Sequence, residues 1–122
     1  MASLPLLLPL LLLLLPRSTR SVLRFREDGT FTIAIFADLH VGGNDYLNDL
    51  TRNAQRQVLE KEDVDLVVLL GDMIHGAHFK PAFHGHGSAW YTNRYAVAVQ
   101  EVVKAGIPWA MVLGNHDTEV TI

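Results

Sequence analysis

Three short apolar runs alternate along the chain with two longer segments whose apolar residues recur every three or four positions. The runs lie at residues 31–37, 65–70 and 109–113. Continuous apolar runs of this length predict β-strands, and the first reads as a strand buried on both faces. The periodic segments extend from about Leu47 to Glu62 and from about Tyr91 to Ala105, and their spacing predicts amphipathic helices.

Capping and turn residues mark where these elements begin and end. Asn44 or Asp45 can cap the first helix, while Gly106 suits the end of the second and Pro108 stops it. Residues 73–89 have no hydrophobic period and predict a loop. The resulting order of strand, helix, strand, helix and strand predicts an α/β fold with parallel strands and right-handed crossovers.

The N-terminal segment differs in composition from the rest of the chain. Residues 4–15 are nearly all leucine, a run too short to cross a bilayer, which takes roughly 20 helical residues. The length suits the apolar part of a secretory signal, so we expect residues 1–20 to be a signal peptide or hydrophobic leader. The protein would then be secreted or lie in the endomembrane system or vacuole. Arginines after the run leave a second possibility, in which an uncleaved leader anchors the chain; this is the only membrane contact we expect.

Composition narrows the possible partners. The 122 residues allow one domain at most, and the net charge of -3 gives no electrostatic basis for binding nucleic acid. The absence of cysteine excludes disulfides and thiolate metal sites. Histidine, present at six positions, is the remaining nitrogen ligand for a metal ion.

Each predicted strand ends in a polar cluster. Asp38 and His40 follow the first strand, Asp72 follows the second, and residues 115–117 (Asn-His-Asp) follow the third. Because the carboxyl ends of parallel strands lie at one edge of a sheet, these side chains can converge. Their carboxylate, imidazole and amide groups suit Mn, Fe or Zn better than calcium. Two such ions roughly 3.5–4 Å apart can activate water and stabilise the attacking and leaving oxygens when a phosphate ester is displaced.

These motifs resemble the calcineurin-like metallophosphoesterase family. The similarity is closest to the low-molecular-weight plant and fungal purple acid phosphatase-like proteins and the Dcr2-type phosphatases. It is carried by residues 35–40 (Ile-Phe-Ala-Asp-Leu-His), 65–72 (Asp-Leu-Val-Val-Leu-Leu-Gly-Asp) and 106–117, which end in Gly-Asn-His-Asp. The resemblance implies a four-layer αββα sandwich, of which residues 28–122 would form the N-terminal βαβαβ half. It also implies a metal-dependent phosphoric ester hydrolase whose partner is a phosphate ester substrate.

The resemblance further implies a ligand set for two metal ions, expected to be Fe, Mn or Zn. Asp38 and His40 would bind the first ion. Asp72 would bridge the two ions, and Asn115 would bind the second.

The same resemblance implies a catalytic pair next to these ligands. His116 would stabilise the phosphoryl transition state or protonate the leaving group, and Asp117 would orient His116.

Two features depart from the family pattern. Purple acid phosphatases have a tyrosine three residues after the bridging aspartate, where this chain has His75, so we expect no tyrosinate colour. The family also places further histidine ligands well downstream of Gly-Asn-His, whereas this sequence ends at Ile122. We therefore expect a truncated N-terminal part with an incomplete second metal site.

Two other functions compete with hydrolysis. The first is a catalytically inactive fragment that binds at most one metal ion or acts as an interaction module. The second is a non-hydrolytic nucleotide-binding α/β domain. This chain lacks the glycine-rich signature that such a domain has after its first strand. The loop histidines are either solvated or supply a substitute ligand or a substrate contact; they are His75, His78, His84 and His86.

Overall fold

The computed structural model describes residues 23–80 and 87–119. Within these residues, three parallel strands form one sheet in the order β1-β2-β3. The strands are β1 (Ile33–Phe36), β2 (Leu66–Leu70) and β3 (Trp109–Val112). The predicted leader, His84 and His86 lie outside the described residues.

Helices occupy both connections between the strands. They are α1 (Asp45–Lys61) between β1 and β2, and α2 (Gly87–Ala98) followed by α3 (Gln100–Ala105) before β3. The predicted α/β class and the βαβαβ order are therefore confirmed. Among the described residues, no helix has both the length and the apolar composition needed to cross a bilayer.

The beginning of α1 is set by a local cap. The Asn44 side chain accepts a hydrogen bond from the Leu47 backbone amide at 3.2 Å. Asp45 in the first turn and Lys61 in the last turn complement the helix dipole. The helix was predicted correctly, and it begins two positions before the expected Leu47 because the cap lies at Asn44.

The second predicted helix is interrupted and begins earlier than expected. Val99 separates α2 from α3, although the hydrogen bonds from Val99 N to Tyr95 O and from Val103 N to Val99 O continue the helical pattern, both at 3.0 Å. The prediction that residues 73–89 form only a loop is wrong in two places, since a 3-10 turn spans Gly76–His78 and α2 begins at Gly87.

The first turn of α2 packs against an aromatic ring that precedes the helix in the chain. The Phe79 ring lies against its first turn, because a Cβ placed on Gly87 would lie 3.3 Å from Phe79 Cζ. The Phe79 and Trp90 ring centroids are 5.7 Å apart. These contacts join residues that have no helical hydrophobic period of their own.

The helices cover one face of the sheet. Ala34, Val67 and Leu69 point to this face and are buried with Ala98 and Val102 from α2 and α3. Both crossovers advance in the same direction across the sheet, so connections of the same hand leave both helices on one side.

The opposite face of the sheet is apolar and open. Ile35, Leu70 and Val112 point to this side and are 60%, 51% and 56% exposed. The expectation that the first strand is buried on both faces is therefore wrong for the described residues, because the helices cover one side only.

Candidate metal centre

The segments that follow β1 and β2 stay paired beyond the ends of the strands. Asp38 N donates a hydrogen bond to Gly71 O at 3.1 Å, and His40 N donates to Asp72 O at 2.9 Å. An isolated parallel bridge at Val41 extends this pairing. As a result, the polar residues after the two strands lie side by side at one edge of the sheet.

The backbone of this edge has an uncommon conformation. Asp38, His40 and Asp72 have φ angles of 56°, 48° and 51°, and they are the described non-glycine residues with positive φ. Aspartate and histidine tolerate this left-handed region better than most residues. Such conformations cost about 1–3 kcal/mol each, and they concentrate at functional sites where the surroundings impose them.

Two overlapping groups of metal-ligating side chains meet at this edge. The ligand atoms of Asp38, His40 and Asp72 all lie within 4.8 Å of one another, and so do those of His40, His75 and His116. Asp38 is largely exposed, and its Oδ1 lies 3.8 Å from His40 Nε2. The first group has two carboxylates and one imidazole, which can hold a divalent transition-metal ion.

Asp72 also ties the end of β2 to the residues after β3. Its Oδ1 accepts a hydrogen bond from the His116 backbone amide at 2.8 Å. Gly114 makes this approach possible, since a Cβ at that position would lie 2.1 Å from Asp72 Oδ1. Gly71 has a positive φ of 87°, and its own Cβ would lie 2.6 Å from Gly114 N. Both glycines therefore let two strand ends approach closely.

His116 is paired with a glutamate that the motifs did not indicate. Its Nδ1 lies 2.8 Å from Glu119 Oε2. This hydrogen bond is the main reason that the pKa of His116 is raised above its usual 6.5. Residues 116–118 form a 3-10 turn, in which positions three apart eclipse one another. The spacing His-Asp-Thr-Glu is the sequence signal that reveals the pair.

Asp117 points into the protein and is only 3% exposed. Its Oδ1 accepts from Ile74 N at 3.0 Å, and its Oδ2 accepts from Gly114 N at 2.7 Å. The expectation that Asp117 orients the His116 ring differs from the structure, because these backbone amides occupy its carboxylate. Glu119 is the partner of the ring.

The remaining candidates lie around this centre. Asn115 immediately precedes the 3-10 turn, is exposed, and makes no capping hydrogen bond to it. His75 contacts His78, with the ring centroids 4.7 Å apart in an edge-on arrangement. Burial lowers the pKa of His78, with a smaller contribution from the neighbouring His75 charge. The neutral form of His78 is therefore favoured in the folded protein.

The described residues combine a parallel α/β sheet with side chains at its carboxyl edge that could hold a metal ion. Residues 31–121 match the calcineurin-like phosphoesterase family, and the chain belongs to that family. The family resemblance inferred from the three motifs is thereby confirmed.

Curated relatives come from a plant and a yeast. The chain is 36% identical to "Probable inactive purple acid phosphatase 28" of Arabidopsis thaliana, over 88% of this chain and 28% of the relative. It is 30% identical to "Probable inactive purple acid phosphatase 29" of the same plant, over 84% of this chain and 28% of the relative. It is 34% identical to "Phosphatase DCR2" of Saccharomyces cerevisiae, over 76% of this chain and 17% of the relative.

The chain therefore spans between 17% and 28% of the length of these relatives. No solved structure matches it significantly.

Proposed function

We propose that the chain forms part of a metal-dependent phosphoric ester hydrolase that acts on phosphomonoesters. The observation that carries the proposal is the convergence of Asp38, His40 and Asp72 at one sheet edge. Their ligand atoms lie within 4.8 Å of one another, and all three residues have left-handed backbone conformations. A strained backbone at the residues with the most suitable chemistry favours a functional role over a structural one.

In this proposal, Asp38, His40 and Asp72 hold the first ion, and Asp72 and Asn115 contribute to a second. The metals are Fe, Mn or Zn, in keeping with the mixed oxygen and nitrogen donors. A bound ion supplies a Lewis acid and lowers the pKa of a coordinated water. The family membership supports metal-dependent ester hydrolysis in general, and the dinuclear arrangement is part of the proposal.

His116 is the proposed proton donor. Glu119 raises its pKa, so the ring retains a proton at higher pH than an ordinary histidine does. A positioned acid with a pKa near the working pH is well suited to protonate a leaving alkoxide. The Asp117 carboxylate accepts hydrogen bonds from Gly114 and Ile74 amides, and it thereby fixes the backbone that carries His116.

A second candidate function is a metal-binding module that does not catalyse. The names of two relatives include the word inactive, and the chain covers only 28% of each. In that case the same carboxylate and histidine group binds an ion without turnover. The leader at residues 1–20 and the secreted, endomembrane or vacuolar location stay predictions.

Hydrolysis of an aryl phosphate by the full chain tests the two functions. The chain is loaded with Mn, Fe or Zn, its metal content is measured, and its activity is compared with that of Asp72→Asn. Asp49→Asn is the matched control, because Asp49 is an exposed carboxylate on α1 that pairs with Arg52.

We expect Asp72→Asn to lose more than the about 10–100-fold that removal of an outer-shell partner costs, and Asp49→Asn to keep its activity. Equal activity in Asp72→Asn and the unsubstituted chain would overturn the proposal. Stoichiometric metal without hydrolysis would instead support the non-catalytic module.

A further inference from the structure

We propose that His40, His75 and His116 form a three-imidazole binding site for a divalent transition-metal ion such as zinc. This site shares His40 and His116 with the proposed function, and it does not require hydrolysis. It assigns a ligand role to His75, which the carboxylate group leaves without one.

The geometry of the three rings is the first support. Their ligand atoms lie within 4.8 Å of one another. The ring centroids are 5.3 Å apart for His40 and His75, 4.9 Å for His40 and His116, and 4.7 Å for His75 and His116. Zinc binds imidazole nitrogen at about 2.0–2.1 Å, so binding requires small ring rotations that bring the nitrogens closer together.

Glu119 supports the same assignment from behind the rings. Its Oε2 lies 2.8 Å from Nδ1 of His116 and 3.5 Å from Nδ1 of His75. Histidines that bind metals usually donate their other ring N–H to a carboxylate, which fixes the ring and raises its basicity. Glu119 pairs with His116 in this way and lies near Nδ1 of His75, so Nε2 would be the nitrogen that each ring offers to an ion.

His75 has an unmet polar group. Its Nδ1 is buried and has no hydrogen-bond partner in the described part of the chain, although Glu119 Oε2 lies 3.5 Å away. An unpaired buried nitrogen is costly. An ion on the other ring nitrogen would favour a hydrogen bond from Nδ1 to Glu119, and that bond would remove the cost. His78, the edge-on neighbour of His75, lies outside both ligand groups.

The donor chemistry favours transition-metal ions over magnesium and calcium. Three neutral imidazoles suit zinc, copper, iron or nickel, and they bind magnesium and calcium poorly. Three protein ligands also leave the fourth tetrahedral position of zinc open. An ion in this site uses His116 as a ligand, so that ring is then withdrawn from proton donation.

Calorimetric titration of the metal-free full chain with zinc tests the site. The variants are His75→Gln and Asp38→Asn, and His78→Gln is the matched control. We expect His75→Gln to weaken zinc binding by more than the about 10–100-fold cost of an outer-shell change. Asp38→Asn keeps the three imidazoles and should retain zinc affinity while it loses aryl phosphate hydrolysis, and His78→Gln should bind zinc normally.

The outcomes separate the two proposals. Unchanged zinc affinity in His75→Gln overturns the three-imidazole site, whatever the hydrolysis shows. Loss of zinc in His75→Gln with no hydrolysis in any variant supports the site and removes the proposed function.

A measurement on the unsubstituted chain covers the case in which His75→Gln does not fold. In ¹⁵N NMR of the histidine rings, zinc must produce a coordination shift at one nitrogen each of His40, His75 and His116. A zinc-bound chain without that shift at His75 overturns the inference.

Discussion

At the scale of single residues, the candidate centre combines ordinary side chains with uncommon backbone conformations. Asp38, His40 and Asp72 all have positive φ, and the backbone hydrogen bonds between the segments after β1 and β2 hold them there. Glu119 adds an electrostatic element by contacting His116 at 2.8 Å. Backbone hydrogen bonds therefore set the positions of Asp38, His40 and Asp72, whereas Glu119 raises the pKa of His116.

Substitution of Glu119 tests the electrostatic element. In the metal-free chain, Glu119→Gln is expected to lower the pKa of His116 towards 6.5, because the hydrogen bond to Glu119 is the largest cause of its elevation. A histidine pH titration by NMR measures the change. Glu60→Gln, which removes an exposed carboxylate on α1 that pairs with Arg56, serves as the control and should leave His116 unchanged.

The sign of the accompanying stability change follows from the raised pKa. The contact stabilises the folded state fully below the unfolded pKa of His116, near 6.5, while Glu119 stays ionised. This contribution is lost as the pH rises through the raised pKa. The unfolding midpoints of the unsubstituted chain and Glu119→Gln are compared across pH. A difference that grows with increasing pH would contradict the pairing of His116 with Glu119.

At the scale of elements, the centre depends on how closely the strand ends approach. Gly114, at the exit from β3, lies where a Cβ would meet Asp72 Oδ1 at 2.1 Å and Asp72 N at 2.5 Å. Asp72 in turn accepts the His116 amide. The junction between β2 and β3 therefore positions a proposed metal ligand and the proposed acid together.

Gly114→Ala tests this junction. The added methyl group must displace Asp72, so we expect a loss of stability of about 1–3 kcal/mol, typical of overpacking, together with weaker metal binding. Urea unfolding and metal titration measure the two effects. Gly106→Ala is the comparison, because Gly106 has a positive φ of 68° but no atom within 4 Å of its added Cβ.

Gly106→Ala should cost about 1–2 kcal/mol through backbone strain and leave metal binding intact. Normal metal affinity in Gly114→Ala would show that Asp72 does not depend on this glycine.

At the scale of the whole molecule, the described residues form a sheet covered by helices on one side. Ile33, Ile35, Leu70 and Val112 leave an apolar surface on the other side, each close to half exposed or more. Large open apolar patches are uncommon on soluble monomers and promote association. The chain should therefore associate in a concentration-dependent way.

Ile35→Lys tests the contribution of this face. A charge in the middle of the apolar surface is expected to shift the chain towards monomer, as measured by sedimentation velocity across a concentration series. Leu50→Lys is the control, since Leu50 is also a half-exposed apolar residue but lies on α1. Equal effects of the two substitutions would show that association does not involve the open sheet face.

The sequence by itself determined the order of the elements and the residues at their ends. Hydrophobic period and capping are local properties, so they predicted the three strands and α1 without knowledge of distant contacts. The rule that parallel strands end at one edge also predicted that Asp38, His40 and Asp72 lie close together. They do so because backbone pairing continues past β1 and β2. The metal and catalytic roles of these residues stay predictions.

Only the tertiary structure decided which partner each side chain has. Asp117 faces the backbone amides of Ile74 and Gly114, so Glu119 rather than Asp117 contacts His116. The Phe79 ring packs against the first turn of α2, and the open face of the sheet depends on both crossovers lying on one side. The Asp117 contact with Ile74 joins residues 43 positions apart, and the open sheet face depends on where distant helices pack, so neither could be read from local sequence.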